Sequence, residues 1–137
     1  MKWLVDTDVF FAAINTAHER HTSARKWLES VKKDGWGVAI ETYLASVRLL
    51  MNNGVMKGHA LSAADALRAV RAEFMGARSG EIVNGGSPDD SFLERAQGHK
   101  QIMDFYLVQT AAAWSAKLAT RDAGTLAAWP QHAFPVA

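Results

Sequence analysis

Short apolar runs alternate along the chain with stretches in which apolar residues recur every three or four positions. Four or five consecutive apolar residues predict a strand that is buried on both faces. The predicted buried strands are residues 2–5, 36–40 and 117–120. Residues 133–136 predict a further strand at a sheet edge, interrupted by Pro135.

The periodic stretches between these runs predict helices. One short helix is predicted over residues 9–14. A longer one carries Ala24, Trp27, Leu28 and Val31 and ends at Asp34-Gly35. The apolar stripes of three further helices are Leu44, Val47, Leu50 and Met51; Leu67, Val70 and Phe74; and Ile102, Phe105, Val108 and Ala112.

Two segments carry signals for a helix N-terminus. Ser62 is followed three residues later by Asp65, a variant of the capping box. Ser87, the proline after it and two acids predict a second helix start capped by Ser87. The glycine-rich residues 76–87 predict a loop inside one domain, with a short apolar break at Ile82-Val83.

Strands that are separated by helices pair in parallel, because the crossover needs the length of a helix. The fold class is therefore α/β, a three-layer domain with a short central parallel sheet flanked by helices. We expect one domain over residues 1–137. Chemistry in such sheets gathers outside the carboxyl ends of the strands.

Carboxylates follow each of the three predicted buried strands. The first strand leads into Asp6 and Asp8, the second into Glu41, and the third is followed by Asp122. Asp104 lies in the first turn of a predicted helix and borders its apolar stripe. Each acid alone is explained as a helix cap or turn residue. Together they predict one acidic cleft, because parallel strands end at the same edge of a sheet.

Oxygen ligands without sulfur or imidazole select hard divalent ions, Mg²⁺ or Mn²⁺. Such an ion activates water for phosphodiester hydrolysis. The chain has no cysteine, which excludes disulfides, thiolate zinc sites and a thiol nucleophile. Its five histidines show no spacing typical of metal ligands. Thr7 and Thr120, beside the acids, either orient a carboxylate or a water, or cap a helix or a turn.

The net charge of +1 at first argues against a nucleic-acid partner. Without the four acids Asp6, Glu41, Asp104 and Asp122, however, 15 bases face 10 acids, a balance of +5. The rest of the surface is then basic enough to attract a nucleic acid. The candidate contacts to nucleic-acid phosphates are Arg48, Arg121, Arg20, Arg25, Lys26, Arg68 and Arg71.

Two further features concern location. An acid at position 6 does not suit a secretory signal, and no apolar stretch has the length of a membrane span. The absence of cysteine suits a reducing compartment. We expect a cytoplasmic protein that does not contact a membrane. The five tryptophans lie in or near apolar segments and are expected in the core or at a dimer contact.

Four segments carry a family resemblance. They are residues 4–9 (Leu-Val-Asp-Thr-Asp-Val), 41–50 (beginning Glu-Thr-Tyr-Leu), 103–107 (Met-Asp-Phe-Tyr-Leu) and 118–122 (Leu-Ala-Thr-Arg-Asp). In this order and spacing the chain resembles the PIN-domain ribonucleases, and among them the VapC-type toxins of toxin–antitoxin pairs. The ordered set is more specific than any one of its segments.

The resemblance implies a Mg²⁺-dependent endoribonuclease, with Mn²⁺ as an alternative ion. Asp6, Glu41, Asp104 and Asp122 would be its catalytic, metal-binding quartet. The implied partners are an RNA substrate, with tRNA among the candidates, a cognate antitoxin and a second copy of the chain in a homodimer. The family often has Asn or Ser at the position of Asp8, which favours a supporting helix cap there over a fifth acid of the site.

Other interpretations stay open. Asp6 and Asp8 after a strand resemble the nucleophile motif of haloacid-dehalogenase-type phosphatases. The chain departs from that motif at Phe10 and has Glu41 where a Ser or Thr is usual. A PIN-like module that only binds RNA or protein is a second alternative. An unrelated α/β domain with scattered capping acids is a third.

Overall fold

A computed structural model describes residues 1–137. Its strands are β1 (Lys2–Val5), β2 (Trp36–Ala39), β3 (Glu81–Val83), β4 (Ala116–Thr120) and β5 (Ala133–Pro135). Its α-helices are α1 (Thr7–Ile14), α2 (His21–Val31), α3 (Ile40–Leu50), α4 (Ala63–Ala72), α5 (Asp90–Leu93), α6 (Gln101–Ala113) and α7 (Ala123–Ala128). A 3-10 turn, Lys32–Asp34, follows α2. None of the helices combines the length and the hydropathy that crossing a membrane requires.

The five strands form one sheet in the order β3-β2-β1-β4-β5, and every neighbouring pair is parallel. β1 lies in the centre, with Leu4 opposite Gly37 of β2 and Leu118 of β4. The carboxyl ends of β2, β1 and β4 therefore lie side by side at one edge of the sheet.

Successive residues of the central strands face opposite sides of the sheet, as the pleat requires. Val5 and Val38 pack with α1, α2 and α4 in one hydrophobic cluster. Leu4 and Ala39 pack with α6 in the other. Helices thus cover both faces, which confirms the predicted three-layer α/β architecture.

β3 lies inside the stretch that was predicted to be a loop. It is a three-residue edge strand in which only Val83 is buried, while Ile82 is exposed. So short a strand with one buried side chain shows no alternating pattern. The prediction of a loop over residues 76–87 was wrong at these three residues.

The apolar stripes located the helices but not always their buried faces. Leu44 is 59% exposed, and Met51 and Ile102 are exposed as well. In α3 the fully buried positions include Thr42 and Ser46 instead. The predicted stripe was therefore wrong at Leu44 and Met51, because two polar residues occupy part of the inward face, while Val47 and Leu50 pack in the core as predicted.

One of the two predicted helix caps is confirmed and the other is wrong. The Ser62 hydroxyl accepts a hydrogen bond from the Asp65 N–H and caps α4 as predicted. The cap of α5 is Asp89, which accepts from the Ser91 N–H, and not Ser87. The six-residue α7, which begins after Asp122, was not predicted as a helix.

The tryptophans pack as expected. Trp36 and Trp129 are buried, one in each hydrophobic cluster. Trp3, Trp27 and Trp114 are half-buried against these clusters. They contribute apolar area and aromatic contacts to the core.

Candidate active site

A cleft of about 290 Å³ opens at the edge where β1, β2 and β4 end. It is lined by Asp6, Thr7, Asp8, Glu41, Ala45, Arg48, Met103, Asp104, Leu107 and Asp122. All four acids of the predicted quartet meet here, although up to 116 positions separate them in the chain. The sheet order explains this, since β1 lies between β2 and β4.

Asp6 is the most buried of the cleft acids, at 8% exposure. It caps α1, with Oδ1 accepting from the Thr7 N–H at 2.8 Å. Its Oδ2 accepts from the Thr120 hydroxyl at 2.6 Å. Burial raises the pKa of Asp6, and the charges of Asp8 and Asp122 add to this effect while the two hydrogen bonds oppose it. Its geometry is therefore fixed through both oxygens.

Asp122 is held by the helix that follows it. Its Oδ2 accepts from both the backbone N–H and the hydroxyl of Thr125, at 2.8 and 2.7 Å. The Asp122 N–H donates to the Thr120 hydroxyl oxygen at 3.0 Å. Thr120 thus links Asp6 and Asp122, which confirms the expectation that it orients a carboxylate. Asp122 is a helix cap and a cleft acid at the same time.

Glu41 and Asp104 lie in the first turns of α3 and α6. Glu41 Oε1 is buried without a hydrogen-bond partner. Asp104 is half-buried, and burial together with the charges of Asp6, Asp122 and Asp8 raises its pKa to about 6. Neither carboxylate accepts a hydrogen bond from the protein, which leaves both available to a cation.

Asp8 lines the cleft but does not cap a helix. It is exposed, it lies inside the first turn of α1, and the cap of this helix is Asp6. The predicted cap role of Asp8 was wrong for this reason. The Thr7 hydroxyl pairs with that of Thr42 at 2.9 Å and joins α1 to α3. Of Thr7, only the backbone N–H contacts a carboxylate.

Thr125 and Thr42 were not singled out in the sequence. Thr125 follows Asp122 by three residues, the spacing at which an N-cap carboxylate meets the first turn, and this signal was available. Nothing in the sequence predicts that Thr42 pairs with Thr7, because that contact depends on how α1 and α3 pack.

The donors present fit a hard divalent cation. The charged donors are all carboxylates. Burial and the neighbouring acids raise the pKa of Asp104, and the buried Oε1 of Glu41 lacks a partner. As placed, no three of these side chains are close enough to enclose an ion by themselves. Mg²⁺ usually binds one or two carboxylates and keeps several waters, so the wide spacing is compatible with it.

Few of the predicted cationic contacts border the cleft. Arg48 lines it, and Arg121 lies between Thr120 and Asp122 in the chain. Arg25 instead donates to both carboxylate oxygens of Glu73. Arg68 pairs with Asp65 at 2.6 Å. Two of the seven candidates are therefore engaged by acids on their own helix or a neighbouring segment.

Comparison with known proteins defines the class. Residues 3–128 match the PIN domain. The chain belongs to the PIN domain family, which confirms the resemblance found in its sequence. Membership in this family also disfavours the dehalogenase-type phosphatase, whose motif the chain met only in part.

The individual relatives are more distant. The chain is similar to Ribonuclease VapC39 of Mycobacterium tuberculosis strains CDC 1551 and H37Rv, at 26% identity over 131 residues and 90% of both chains. It shares its fold with a crystal structure of VapBC2 from Rickettsia felis bound to a DNA fragment from their promoter. There the TM-score is 0.64 and the identity 19%, with full coverage of both chains. A structure of FitAB bound to an IR36 DNA fragment gives a TM-score of 0.56 at 21% identity, covering 98% of this chain and 94% of the other.

Proposed function

We propose that the chain is a single PIN-like nuclease domain that acts as a metal-dependent endoribonuclease. The observation that carries this is the convergence of Asp6, Glu41, Asp104 and Asp122 in one cleft of a PIN domain. The name of its relative, Ribonuclease VapC39, supports RNA as the substrate class. We assign these four acids as the catalytic, metal-binding quartet.

The quartet would hold one or two Mg²⁺ ions, or Mn²⁺ in their place. When bound, such an ion lowers the pKa of water and neutralises charge on the phosphoryl group. Asp6 contributes a carboxylate whose direction is set by Thr7 and Thr120. Asp122 keeps Oδ1 free for the site, because Thr125 engages only Oδ2.

Hydrolysis also requires a group that accepts the proton of the attacking water. No histidine lines the cleft. Asp104 and Glu41 accept no hydrogen bond from the protein. We assign proton transfer to one of these two carboxylates.

The test compares wild type with Asp104→Ala on RNA, with Mg²⁺ and with a chelator. We expect cleavage by the wild type in Mg²⁺ only. Asp34→Ala is the matched control, because Asp34 is exposed and lies outside the cleft. Cleavage that persists in Asp104→Ala would contradict the assigned site, and a wild type that binds RNA without cutting it would favour the inactive binding module.

The same proposal includes a role as the toxin of a toxin–antitoxin pair in the cytoplasm. Structural similarity to VapBC2 and FitAB supports an antitoxin partner. Expression of wild type should arrest growth, and the product of a small adjacent gene should relieve the arrest. Normal growth in the presence of an active ribonuclease would refute the toxin role and leave the enzymatic one.

A homodimer is the remaining partner proposal. Ile40 and Leu44 of α3 and Met51 at its C-cap form an exposed apolar strip. Exposure of such a strip to water is unfavourable. Leu44→Glu should convert the dimer to a monomer in light scattering. Ile82→Glu, at a similarly exposed apolar residue of β3, should not. Equal mass for both variants and wild type would rule out this strip as the interface.

A further inference from the structure

A second and larger pocket adjoins the acidic cleft. Its volume is about 670 Å³, against about 290 Å³ for the cleft, and Asp8 lines both. Its walls come from α1, from the connection between α1 and α2, and from the end of α3 with the turns that follow it. The four assigned acids do not line this second pocket, so the proposed hydrolysis leaves it without a role.

One face of α1 leads from the cleft into the second pocket. Asp8 and Phe11 of α1 and Asn15 at its C-cap are spaced by three and four residues, which places them on the same side of the helix. With a rise of about 1.5 Å per residue, Asp8 and Asn15 lie roughly 10 Å apart along the helix axis. A polymer held over the acids therefore reaches the pocket with the group next to the one that is cut.

Two hydrogen-bond donors that line the second pocket have no partner in the protein. Asn15 is only 8% exposed, and its Oδ1 accepts from the Ala17 N–H at 3.2 Å, while its Nδ2 donates to no protein atom. The Nδ1 of His18 accepts from the Arg20 N–H at 3.0 Å, so the hydrogen of the neutral ring lies on Nε2. This Nε2–H likewise has no protein acceptor. Since donors with so little exposure are normally satisfied, both are left to a ligand of the pocket.

The apolar part of the wall suits a flat ring. Phe11 meets the His18 ring edge-on, with the ring centroids 6.1 Å apart and the planes at 85°. Leu49 of α3 and Met56 in the turns after it add further apolar surface. The face of an aromatic heterocycle gains free energy from contacts of this kind.

The charges of the second pocket select among possible occupants. It is lined by the carboxylates of Asp8 and Glu19 and by the ammonium group of Lys57, and two carboxylates against one ammonium leave a formal charge of −1. This balance repels a phosphate. A nucleobase is uncharged, and its edge carries acceptors for the two free donors as well as amino groups that a carboxylate can accept from.

We propose that the second pocket binds the base of the RNA nucleotide next to the scissile phosphate. This inference rests on the proposed ribonuclease function and adds the origin of its sequence preference. Asn15 Nδ2 and His18 Nε2 donate to the edge of the base, and the wall with Phe11 contacts its face. A base that offers no acceptor to these donors leaves them unpaired, so the pocket discriminates between bases.

The test measures base-dependent binding without cleavage. The Asp104→Asn protein, which leaves the RNA intact, is titrated in Mg²⁺ with short fluorescent homopolymers of A, C, U and inosine and with an oligomer of abasic residues, and anisotropy gives each Kd. Homopolymers present the same base in every register along the cleft. At least one homopolymer should bind about tenfold or more tightly than the abasic oligomer, the effect expected of one well-contacted base.

Two variants remove one free donor each. Asn15→Asp keeps an oxygen for the Ala17 N–H and replaces the Nδ2 donor by an acceptor, and His18→Asn keeps an acceptor near Nδ1 and removes Nε2. Each should lower the ratio of homopolymer to abasic affinity about three- to tenfold, the effect of one hydrogen bond. With Asp104 intact, each should also reduce the preference among homopolymers in kcat/KM.

The matched control is Asn84→Asp. The Oδ1 of Asn84 accepts from the Gly86 N–H two residues on, as that of Asn15 does from Ala17, but Asn84 is exposed and lines neither the second pocket nor the cleft. It adds the same charge as Asn15→Asp and should keep the wild-type ratio. Should Asn15→Asp lose the wild-type circular dichroism spectrum, the uncharged His18→Asn, at a half-buried residue outside the helices, decides the outcome.

The outcomes separate the two proposals. A wild type that cleaves no RNA, yet binds one homopolymer through Asn15 and His18, overturns the proposed function and supports the base pocket. Normal cleavage, with pocket variants that keep the ratio of wild type as Asn84→Asp does, overturns the base pocket alone. Pocket variants that keep this ratio but no longer bind the product of the small adjacent gene would assign the pocket to the antitoxin and equally refute the base site.

Discussion

The hydroxyl of Thr120 donates a 2.6 Å hydrogen bond to Oδ2 of Asp6, a residue 114 positions away in the chain. Both residues are buried where β4 and β1 end. The same hydroxyl oxygen accepts from the Asp122 N–H. One threonine therefore fixes the relative position of two cleft acids that come from opposite ends of the sequence.

Thr120→Val should destabilise the protein by about 1–3 kcal/mol, because it leaves a buried carboxylate oxygen without its donor. It should also raise the Mg²⁺ concentration needed for half-maximal RNA cleavage, since Asp6 loses its fixed direction. Urea denaturation and Mg²⁺ titration of the cleavage rate measure the two effects. Thr120→Ser, which keeps the hydroxyl, should restore most of both, and an unchanged Thr120→Val would contradict the positioning role.

Glu41→Gln should separate function from folding. Glu41 makes no hydrogen bond that holds the fold, so the free energy of unfolding without metal should stay the same or rise as repulsion is relieved. RNA cleavage should fall by more than about 100-fold, because a metal ion contributes several kcal/mol to the transition state. The rise in thermal midpoint that Mg²⁺ produces in wild type should shrink in this variant.

Glu94→Gln is the control for that experiment, since Glu94 is exposed and unpaired on the surface. It should match wild type in cleavage and in response to Mg²⁺. Equal activity of Glu41→Gln and Glu94→Gln would remove Glu41 from the site.

The metal-free protein should lose stability on account of Asp104 as the pH rises from about 4 to about 6. The pKa of this carboxyl is about 6 in the folded protein against an ordinary 3.8, so the folded state holds the proton more tightly than the unfolded chain. This loss of stability should be absent below the pKa of the unfolded chain and complete above the pKa of the folded protein. Urea unfolding at several pH values in chelator measures it.

Asp104→Asn cannot undergo this titration and provides the comparison. Between about pH 4 and 6 the unfolding free energy of wild type should fall relative to that of Asp104→Asn. A constant difference would show that burial and the other acids do not raise the pKa of Asp104. Added Mg²⁺ should reduce the pH dependence of the wild type, because a cation stabilises the ionised form.

Gly37→Ala should destabilise the sheet by about 1–3 kcal/mol, the usual cost of overpacking. A Cβ at this position of β2 would lie 2.5 Å from the Glu81 carbonyl oxygen of β3 and 3.0 Å from the Trp114 ring. The backbone of Glu81 cannot move away from such a Cβ without weakening the pairing of β2 with β3. Gly98→Ala, where nothing lies within 4 Å, should change stability by less than about 0.5 kcal/mol. Denaturant midpoints compare the two.

The central strands and the convergence of the acids could be predicted from sequence for one reason. β1, β2 and β4 are largely buried, so each appears as a mostly apolar run whose acid follows within two residues. Parallel pairing then requires these acids to meet. Asp104 could be placed only through its position beside the apolar stripe of α6, and through the family resemblance.

Contacts that depend on packing could not be predicted. β3 is an edge strand with one buried side chain, and α7 is too short, with Gly124 inside it, to show a helical period. Thr42 and Ser46 face the interior although both are polar, which moved Leu44 to the surface. Likewise, which arginines stay free of carboxylates depends on neighbours such as Glu73 that come from distant parts of the chain.

Asp122 both caps α7 and lines the cleft, and this has an evolutionary consequence. An asparagine there could accept both hydrogen bonds from Thr125 through its amide oxygen and would cap α7 as well. A single-base transition converts an aspartate codon to an asparagine codon. With Asp122 in the proposed quartet, this one mutation would give a folded protein that lacks one of the proposed metal-binding carboxylates. Since either side chain caps α7, the negative charge of Asp122 would then be kept by selection for the proposed chemistry.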